Sequence, residues 1–258
     1  MSVEIHPQAV IHPGAYLDEH VKIGPYAVIE ENVKVGAHTV IECGARLTGH
    51  TVIGHNCRIF SYAVIGSQPQ DLKYKGQRSF LSIGNHNLIR EFVTINPGTE
   101  EESQTVIGDS NLIMAYSHVA HNCQVGSHNV LANAATIAGH VEIADHIVIG
   151  GLVAVHQFCR IGDYAIIGGC SKVVQDIPPY SLCDGHPAKV YNVNLVGLKR
   201  GGFSRGQIET LRKAFKILFF DNHSFDEAEQ LVRKELSAGK EIEDLLRFIA
   251  TSKRGICR

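Results

Sequence analysis

The chain has 258 residues, of which 19% are charged, and its formal net charge of −2 argues against a nucleic-acid partner. No apolar run approaches the roughly 18 residues that span a bilayer, and residues 1–7 lack the basic and apolar regions of a signal peptide. The seven cysteines form no CxxC pair, which argues against a zinc site and a disulfide framework. We therefore expect a cytoplasmic protein without stable membrane insertion and without a metal.

Residues 1–178 follow a period of six. An apolar residue returns at every sixth position in three runs, which are Ile5 to Ile65, Ile83 to Ile95 and Ile107 to Val173. A helix has a period near 3.6 residues, whereas a short strand followed by a tight turn fits a period of six. Three such units close a coil of eighteen residues, and successive coils stack as parallel strands about 4.8 Å apart. The pattern predicts a mainly β fold, a parallel β-helix of hexapeptide repeats, without deciding its handedness.

Two segments interrupt the repeat, at residues 67–82 and near residues 97–105. We expect both to leave the coil as loops, because a stacked solenoid accepts insertions only outside the stack, where they often form binding walls. The first loop carries donors, acceptors and an aromatic ring in Gln70-Asp-Leu-Lys-Tyr74, and the second is acidic, with Glu100 to Glu102.

The chemistry of the chain changes after about residue 190. Capping boxes at Ser204 to Gln207 and at Ser224 to Glu227 precede amphipathic runs and predict two helices. A third helix is expected from Glu241 to Thr251. The sequence therefore predicts a β-helix domain at residues 1–190 and an α-helical C-terminal domain at residues 191–258.

Histidine is abundant, with fifteen residues, and most of the histidines fall at turn positions. Four lie close together after residue 110: His118, His121, His140 and His156. Because residues eighteen apart share a column, His121, Gly139 and Gln157 are expected one above the other, with His140 beside Gly139. Imidazole is a natural general base near neutral pH, and a backbone N–H without a side chain suits an oxyanion.

The residues alone leave three interpretations of this cluster. His121 acts as a base in acyl transfer, three histidines bind zinc as in carbonic anhydrases built on a similar β-helix, or the histidines are surface turn residues. Zinc requires three imidazoles converging at about 2.1 Å, and the three-residue spacing of His118 and His121 places strand side chains on opposite faces. The spacing favours acyl transfer.

Seven motifs carry a resemblance to a known family, and they occur in this order: Gln70-Asp-Leu-Lys-Tyr74, His118-Val-Ala-His-Asn-Cys123, Ile137-Ala-Gly-His140, Val155-His-Gln-Phe-Cys159, Gln175-Asp-Ile-Pro-Pro-Tyr180, Leu198-Lys-Arg-Gly-Gly-Phe-Ser204 and Arg254-Gly-Ile256. With them the chain closely resembles the UDP-N-acetylglucosamine acyltransferases, hexapeptide-repeat enzymes that start lipid A synthesis in Gram-negative bacteria. The resemblance covers almost the whole chain.

This resemblance implies a left-handed β-helix and a homotrimer with active sites between subunits. It implies transfer of an (R)-3-hydroxyacyl chain from acyl carrier protein to the 3-position of UDP-N-acetylglucosamine. No cofactor is implied beyond the phosphopantetheine thioester of the donor.

The resemblance also implies roles for single residues. His121 matches the general base, Gly139 the amide of the oxyanion site, and Gly169 the position that limits acyl-chain length. The residues that match substrate-binding positions are Gln70, Asp71, Lys73, His118, His140, Gln157, Asn194 and Arg200.

Four residues depart from the family pattern: Asn96, Asn122, Val196 and Gly201. They leave the acceptor open, and a UDP-sugar with an amine at the 3-position, which would give an amide, is the alternative. Another hexapeptide-repeat acyltransferase, acting on a different sugar with acetyl-CoA, is a second alternative. A β-helical scaffold without catalysis is a third.

Overall fold

The computed structural model describes residues 2–236 and 239–258, and its strands form three sheets that make the faces of a prism. The strands of the coil pair in parallel, and the hairpin that ends the first sheet is antiparallel. The first sheet contains Glu4–Ile5, Lys22–Ile23, Val40–Ile41, Arg58–Ile59, Leu88–Ile89, Leu112–Ile113, Val130–Leu131, Val148–Ile149, Ile166–Ile167 and the hairpin Ser181–Gly185 and Ala188–Val193. The second contains Val10–Ile11, Val28–Ile29, Arg46–Leu47, Val64–Ile65, Thr94–Ile95, His118–Val119, Thr136–Ile137, Ala154–Val155 and Lys172–Val173. The third contains Tyr16–Leu17, Lys34–Val35, His50–Ile53, Phe80–Ile83, Gln104–Ile107, Gln124–Val125, Glu142–Ile143 and Arg160–Ile161.

Residues eighteen apart pair between consecutive coils. Val119 lies opposite Ile137, and Val125 lies opposite Ile143. Their side chains point inward and are at most 3% exposed, so each coil covers the apolar surface of the next. A tight turn connects one strand to the next, and its third residue takes the left-handed conformation, as His128 does with φ of 60°. The prediction of a mainly β parallel β-helix is confirmed.

Both predicted loops lie between strands, but they end earlier than expected, because the strands Phe80–Ile83 and Gln104–Ile107 begin within the predicted ranges 67–82 and 97–105. No strand is described between Ile65 and Phe80, or between Ile95 and Gln104. Asn96 connects the two loops, because its Nδ2 donates to the carbonyl oxygens of Ser67 at 3.0 Å and of Gln68 at 3.3 Å. The Oδ1 atom of Asn96 is buried and has no hydrogen-bond partner among the described residues.

Three asparagines form a buried ladder inside the coil. Asn87, Asn111 and Asn129 are at most 1% exposed. The Asn111 backbone N–H donates to Asn87 Oδ1 at 2.9 Å, and the Asn129 N–H donates to Asn111 Oδ1 at 2.9 Å. The Nδ2 of Asn111 donates to the Gly126 carbonyl at 2.9 Å. The ladder therefore satisfies backbone groups that the turns leave unpaired.

We expect Asn111→Ala to lower the free energy of unfolding by about 3 kcal/mol. The substitution leaves the buried Asn129 N–H and the partly buried Gly126 carbonyl without their partners, and a buried unpaired group costs about 1–3 kcal/mol. Chemical denaturation at one fixed protein concentration measures the change, and Gln124→Ala, an exposed strand residue of the next coil, is the control. Equal stability of the two variants would contradict the role given to the ladder.

The chain after residue 194 is largely helical in the described residues. The helices are α1 (Leu195–Arg200), α2 (Arg205–Phe215), α3 (Phe225–Glu235) and α4 (Lys240–Ala250), and a π-helical segment, Lys216–Phe220, follows α2 directly. Both predicted capping boxes are present, at Ser204 and at Ser224. The division into domains at residue 190 stays a prediction.

Two strands and the end of the chain were not predicted. The hairpin Ser181–Gly185 and Ala188–Val193 extends the first sheet beyond the last repeat. The Cys257 N–H donates to the Asp176 carbonyl, and the Asp176 N–H donates to the Gly255 carbonyl. The C-terminal residues therefore pack back onto the last coil. Among residues 2–236 and 239–258, no helix combines the length and the apolar character that crossing a membrane requires.

Candidate active site

The second and third sheets meet at a corner that we call the His121 corner, formed by the stacked turns at residues 120–123, 138–141 and 156–159. The His140 N–H donates to the His121 carbonyl at 3.0 Å, and the Phe158 N–H donates to the Gly139 carbonyl at 3.2 Å. These bonds hold the turns one above another. His121, Gly139 and Gln157 thus share one column, as the eighteen-residue spacing predicts.

The imidazole of His121 lies against the backbone of Gly139. A Cβ at residue 139 would come within 2.4 Å of His121 Cε1 and 2.6 Å of Nε2, distances that real Cβ atoms do not adopt. The Gly139 N–H donates to no acceptor among the described residues. Only glycine therefore leaves room for the ring, and its N–H is available to a ligand beside Nε2.

The same turn position at the neighbouring corner behaves differently. There the Ser127 N–H donates to Asp145 Oδ1 at 2.6 Å, and the Asp145 N–H donates to Asp163 Oδ1 at 2.9 Å. Side chains of the next coil satisfy those amides. At the His121 corner Gly139 and Gln157 occupy these positions, so no carboxylate of the next coil captures the amide of the turn below.

The orientation of Asn122 fixes the proton on His121. The Thr99 backbone N–H donates to Asn122 Oδ1 at 3.1 Å, and Asn122 Nδ2 donates to Glu100 Oε2 at 2.9 Å. Because a backbone N–H can only donate, the amide oxygen must face Thr99, and that oxygen is 2.9 Å from His121 Nδ1. Nδ1 therefore carries the proton in the neutral ring, and Nε2 keeps a free lone pair.

Asp71 approaches the imidazole from the first loop. Its Oδ2 lies 3.6 Å from His121 Nε2, and its Oδ1 accepts a hydrogen bond from the Lys73 N–H at 2.9 Å. The side chains of His121 and Asp71 are 13% and 25% exposed. An imidazolium formed at this position would face a carboxylate. Gln70 and Lys73 project from the same loop and are exposed.

Two other histidines border His121. The His140 ring is perpendicular to it, with centroids 5.2 Å apart, and stacks on Phe158. The Nδ1 of His118 lies 2.7 Å from Thr94 Oγ1. Burial lowers the pKa of His118, and the charge of His121 lowers it further. Burial and the charge of His121 also lower the pKa of His140, against the opposing effects of Glu100 and Asp71. These effects favour the neutral form of both rings.

The remaining predicted residues lie further from the base. Gln157 and His156 are exposed, and His156 Nδ1 is 3.2 Å from the Gln157 carbonyl. Arg200 is exposed at the end of α1. Within residues 2–236 and 239–258, no three His, Cys, Asp or Glu side chains are grouped so that they could hold a metal ion.

Gly169 stands on another corner of the coil. It stacks on Gly151, and a Cβ at residue 169 would be 3.3 Å from the Gly151 carbonyl oxygen. This corner joins the first sheet to the second, whereas the His121 corner joins the second to the third. One copy of the chain therefore presents His121 and Gly169 on different corners.

Sequence reasoning did not find three residues of this site. Thr99 and Glu100 hold Asn122, and Phe158 stacks on His140. The second interruption lengthens its coil to 24 residues, since Thr94 pairs with His118. No fixed spacing applies within the inserted segment, so the contacts of Thr99 and Glu100 with Asn122 could not be read from the repeat.

Comparisons with known proteins find similar sequences and structures along nearly the whole chain. The model described as "Udp N-acetylglucosamine O-acyltransferase; Domain 2" matches residues 176–257, and the bacterial transferase hexapeptide model matches residues 16–49 and 104–139. A curated acyl-[acyl-carrier-protein]–UDP-N-acetylglucosamine O-acyltransferase of Trichlorobacter lovleyi is 54% identical over 99% of this chain and 100% of its own length. The protein of the same name from Thermodesulfovibrio yellowstonii is 52% identical over 99% of both chains.

The chain belongs to the UDP-N-acetylglucosamine O-acyltransferase family. Two solved structures are similar to it throughout. The UDP-N-acetylglucosamine acyltransferase from Bacteroides fragilis superposes with a TM-score of 0.96 at 41% identity, covering 98% of this chain and 99% of that one. The enzyme of that name from Campylobacter jejuni gives a TM-score of 0.92 at 41% identity, with the same coverage.

Gly201, one of the residues expected to depart from the family pattern, has a local explanation. A Cβ at Gly201 would lie 2.5 Å from Tyr164 Cε1, so a larger residue there requires the tyrosine ring to move. Asn194 Nδ2 donates to the Tyr164 carbonyl at 2.8 Å, and its Oδ1 accepts from the Gly197 N–H at 3.0 Å. Both polar ends of Asn194 thus hold the start of α1. Val196 is 59% exposed.

Proposed function

We propose that the chain transfers an (R)-3-hydroxyacyl group from acyl carrier protein to the 3-position of UDP-N-acetylglucosamine, the first step of lipid A biosynthesis. The observation that carries the proposal is a free Nε2 lone pair on His121 next to the unengaged N–H of Gly139. Curated relatives more than half identical to the chain are named for this activity.

The proposed reaction needs no group besides the two substrates and the protein. His121 Nε2 accepts the proton of the sugar hydroxyl, and the oxygen attacks the thioester carbonyl. The Gly139 N–H donates to the oxyanion that forms. The C–S bond then breaks, and the imidazolium returns its proton to the thiolate, which leaves an ester and the free thiol of the carrier. Positioned base catalysis contributes about 10²–10⁴-fold, and one oxyanion donor contributes about 10²-fold or more.

The surrounding residues receive proposed roles in binding. The carboxylate of Asp71, 3.6 Å from Nε2, stabilises the imidazolium, and Gln70 and Lys73 hold the substrate from the same loop. The neutral rings of His118 and His140 donate or accept single hydrogen bonds at the sugar.

Three further residues receive roles in substrate binding from the resemblance to the family. Gln157, at the top of the column, lines the groove near His121, and Arg200, on α1, faces the pantetheine arm of the donor. Asn194 acts at the nucleotide through the start of α1, which it caps.

A homotrimer is proposed because one copy separates two parts of the site. His121 and Gly169 occupy different corners, and a groove that holds both the reacting carbonyl and the acyl chain needs a second copy of the chain. The resemblance to the family supports three copies, a left-handed coil, division into domains at residue 190 and a cytoplasmic location. No cofactor is proposed.

The residues that depart from the family pattern bear on which acceptor sugar the enzyme uses. They leave the acceptor open, and the second candidate is a 3-amino UDP-sugar that gives an amide. These residues are Asn96, Asn122, Val196 and Gly201. Mass spectrometry of products, with both sugar nucleotides, a series of acyl carrier protein thioesters and acetyl-CoA offered in parallel, separates the candidates. We expect the ester of UDP-N-acetylglucosamine. Acylation of the amine alone would establish the second candidate, and transfer from acetyl-CoA alone would overturn both.

Gly169→Met is expected to shorten the preferred acyl chain. Glycine leaves the groove open at this point, and a methionine side chain fills space that the end of a long chain occupies. Competition between long and short carrier thioesters, read by product mass, measures the preference. Gly206→Met, where the nearest atom to an added Cβ is 3.9 Å away on α2, is the control. If Gly169→Met leaves the chain-length selectivity unchanged, Gly169 does not line the groove that holds the acyl chain.

A further inference from the structure

The second loop places a carboxylate behind the base. Glu100 Oε2 accepts a hydrogen bond from Asn122 Nδ2 at 2.9 Å and lies 2.9 Å from Thr99 Oγ1. Asn122 in turn accepts, through Oδ1, the hydrogen bond from His121 Nδ1 at 2.9 Å. The chain from imidazole to carboxylate is therefore continuous, and it passes through one neutral amide.

Glu100 is the acidic residue of its loop that faces this network. Glu101 Oε2 accepts from the Arg78 N–H at 3.2 Å, and Glu102 Oε1 lies 3.7 Å from Arg78 Nη1. Burial acts to raise the pKa of Glu100, but hydrogen bonds from Thr99, from its own backbone and from Asn122 outweigh burial and lower it. Glu100 is thus a carboxylate at neutral pH, and its negative charge lies one side chain beyond the imidazole.

We infer that Glu100 is a positioning residue for the proposed base, acting on His121 through the amide of Asn122. This inference rests on the proposed function. Asn122 alone accepts the Nδ1 hydrogen bond but adds no charge. Glu100 polarises the amide, holds its oxygen toward the ring, and stabilises the imidazolium that forms when Nε2 takes the proton. The link from His121 through Asn122 to Glu100 thus does the work of a carboxylate hydrogen-bonded directly to the imidazole.

Other charged groups also face the imidazole, so the contribution of Glu100 must be separated from theirs. Asp71 lies at Nε2, His140 packs against the ring, and His118 precedes it on the strand. Lys73 acts on His140 from the first loop. None of these groups hydrogen-bonds to Asn122 within the described part of the chain. An effect of Glu100 that depends on Asn122 can therefore be separated from the effects of these groups.

The test is a double-mutant cycle with Glu100→Gln and Asn122→Asp. Glutamine retains an oxygen for Asn122 Nδ2 and removes the charge. We expect Glu100→Gln to lower kcat about tenfold, the equivalent of about one pKa unit, with KM for the sugar nucleotide unchanged. The acid limb of the pH–kcat profile should move to lower pH, because the imidazolium loses a neighbouring negative charge. A structural role alone would not move that limb.

Asn122→Asp supplies the charge directly. In that background the new carboxylate at position 122 is in contact with the carboxylate of Glu100, and the amide of Glu100→Gln can donate to the new carboxylate instead. We therefore expect Glu100→Gln to cause no loss of kcat there, since the charge beside His121 no longer comes from Glu100. Equal losses from Glu100→Gln in both backgrounds would overturn the inference, and so would wild-type kcat in the single variant. Glu102→Gln, with the same charge change in the same loop, is the control and should match wild type. Wild-type protein assayed alongside separates the two hypotheses, because its failure to transfer would refute the proposed function itself.

Discussion

His121→Ala is expected to lower kcat of acyl transfer by about 10²–10⁴-fold, the range attributed to a positioned general base. The substitution removes the lone pair at Nε2 that receives the proton of the acceptor hydroxyl. It leaves the coil intact, because the backbone bonds of His121 and His140, rather than the ring, connect the turns. Steady-state kinetics with a carrier thioester measure the loss, and thermal unfolding checks the fold.

The chain contains a matched control for this variant. His55 occupies the same turn position on the neighbouring corner, is followed by Asn56, and its Nδ1 lies 2.8 Å from Asn56 Nδ2. It therefore shares the turn position and the His-Asn pair with His121 but lacks the Gly139 amide and Asp71, and its Nδ1 faces the amide nitrogen of its asparagine rather than the oxygen. His55→Ala should retain wild-type kcat. Turnover by His121→Ala at the level of His55→Ala would assign proton transfer to another group.

Gly139→Ala is expected to lower kcat by about 10²-fold or more, the value of one oxyanion donor. The added methyl group would lie 2.4 Å from His121 Cε1 and 2.6 Å from Nε2, so the ring must move away from the amide. Both the base and the oxyanion donor are displaced at once, and the loss should appear in kcat rather than in KM.

Gly151→Ala tests whether the loss of kcat is specific to the His121 corner or follows from replacing any turn glycine with alanine. Gly151 has the same turn position on another corner, and its nearest contact for an added Cβ is the Asn133 carbonyl oxygen at 3.3 Å. Because Gly151 stacks on Gly169, kcat is compared with a short carrier thioester, and we expect a nearly wild-type value from this variant. If both alanine variants lose activity equally, or if neither does, catalysis does not depend on the contact between Gly139 and the His121 ring.

The repeated core was predictable because its physics is local and periodic. Each inward aliphatic residue packs against its counterpart one coil away, as Val119 does against Ile137. Because each coil has three strands, apolar residues recur at every sixth position of the sequence. The column of His121, Gly139 and Gln157 followed from the same arithmetic. The separation of Gly169 from His121 follows too, since 48 residues is not a whole number of eighteen-residue coils.

The parts that were not predicted depend on insertions and on chain ends. The loop before Gln104 changes the coil length to 24 residues and brings Glu100 to Asn122, a contact that no fixed period encodes. The hairpin at residues 181–193 pairs strands after the repeat has ended, so tertiary packing rather than periodicity decides it. Orientation of the Asn122 amide required the position of the Thr99 N–H.

A structure of the protein with its acylated sugar nucleotide bound tests the central claim most directly. We predict that the oxygen at the sugar 3-position lies about 3 Å from His121 Nε2, the reach of a general base, and that the ester carbonyl oxygen faces the Gly139 N–H. A product bound at another corner, with no contact to His121, would contradict the account.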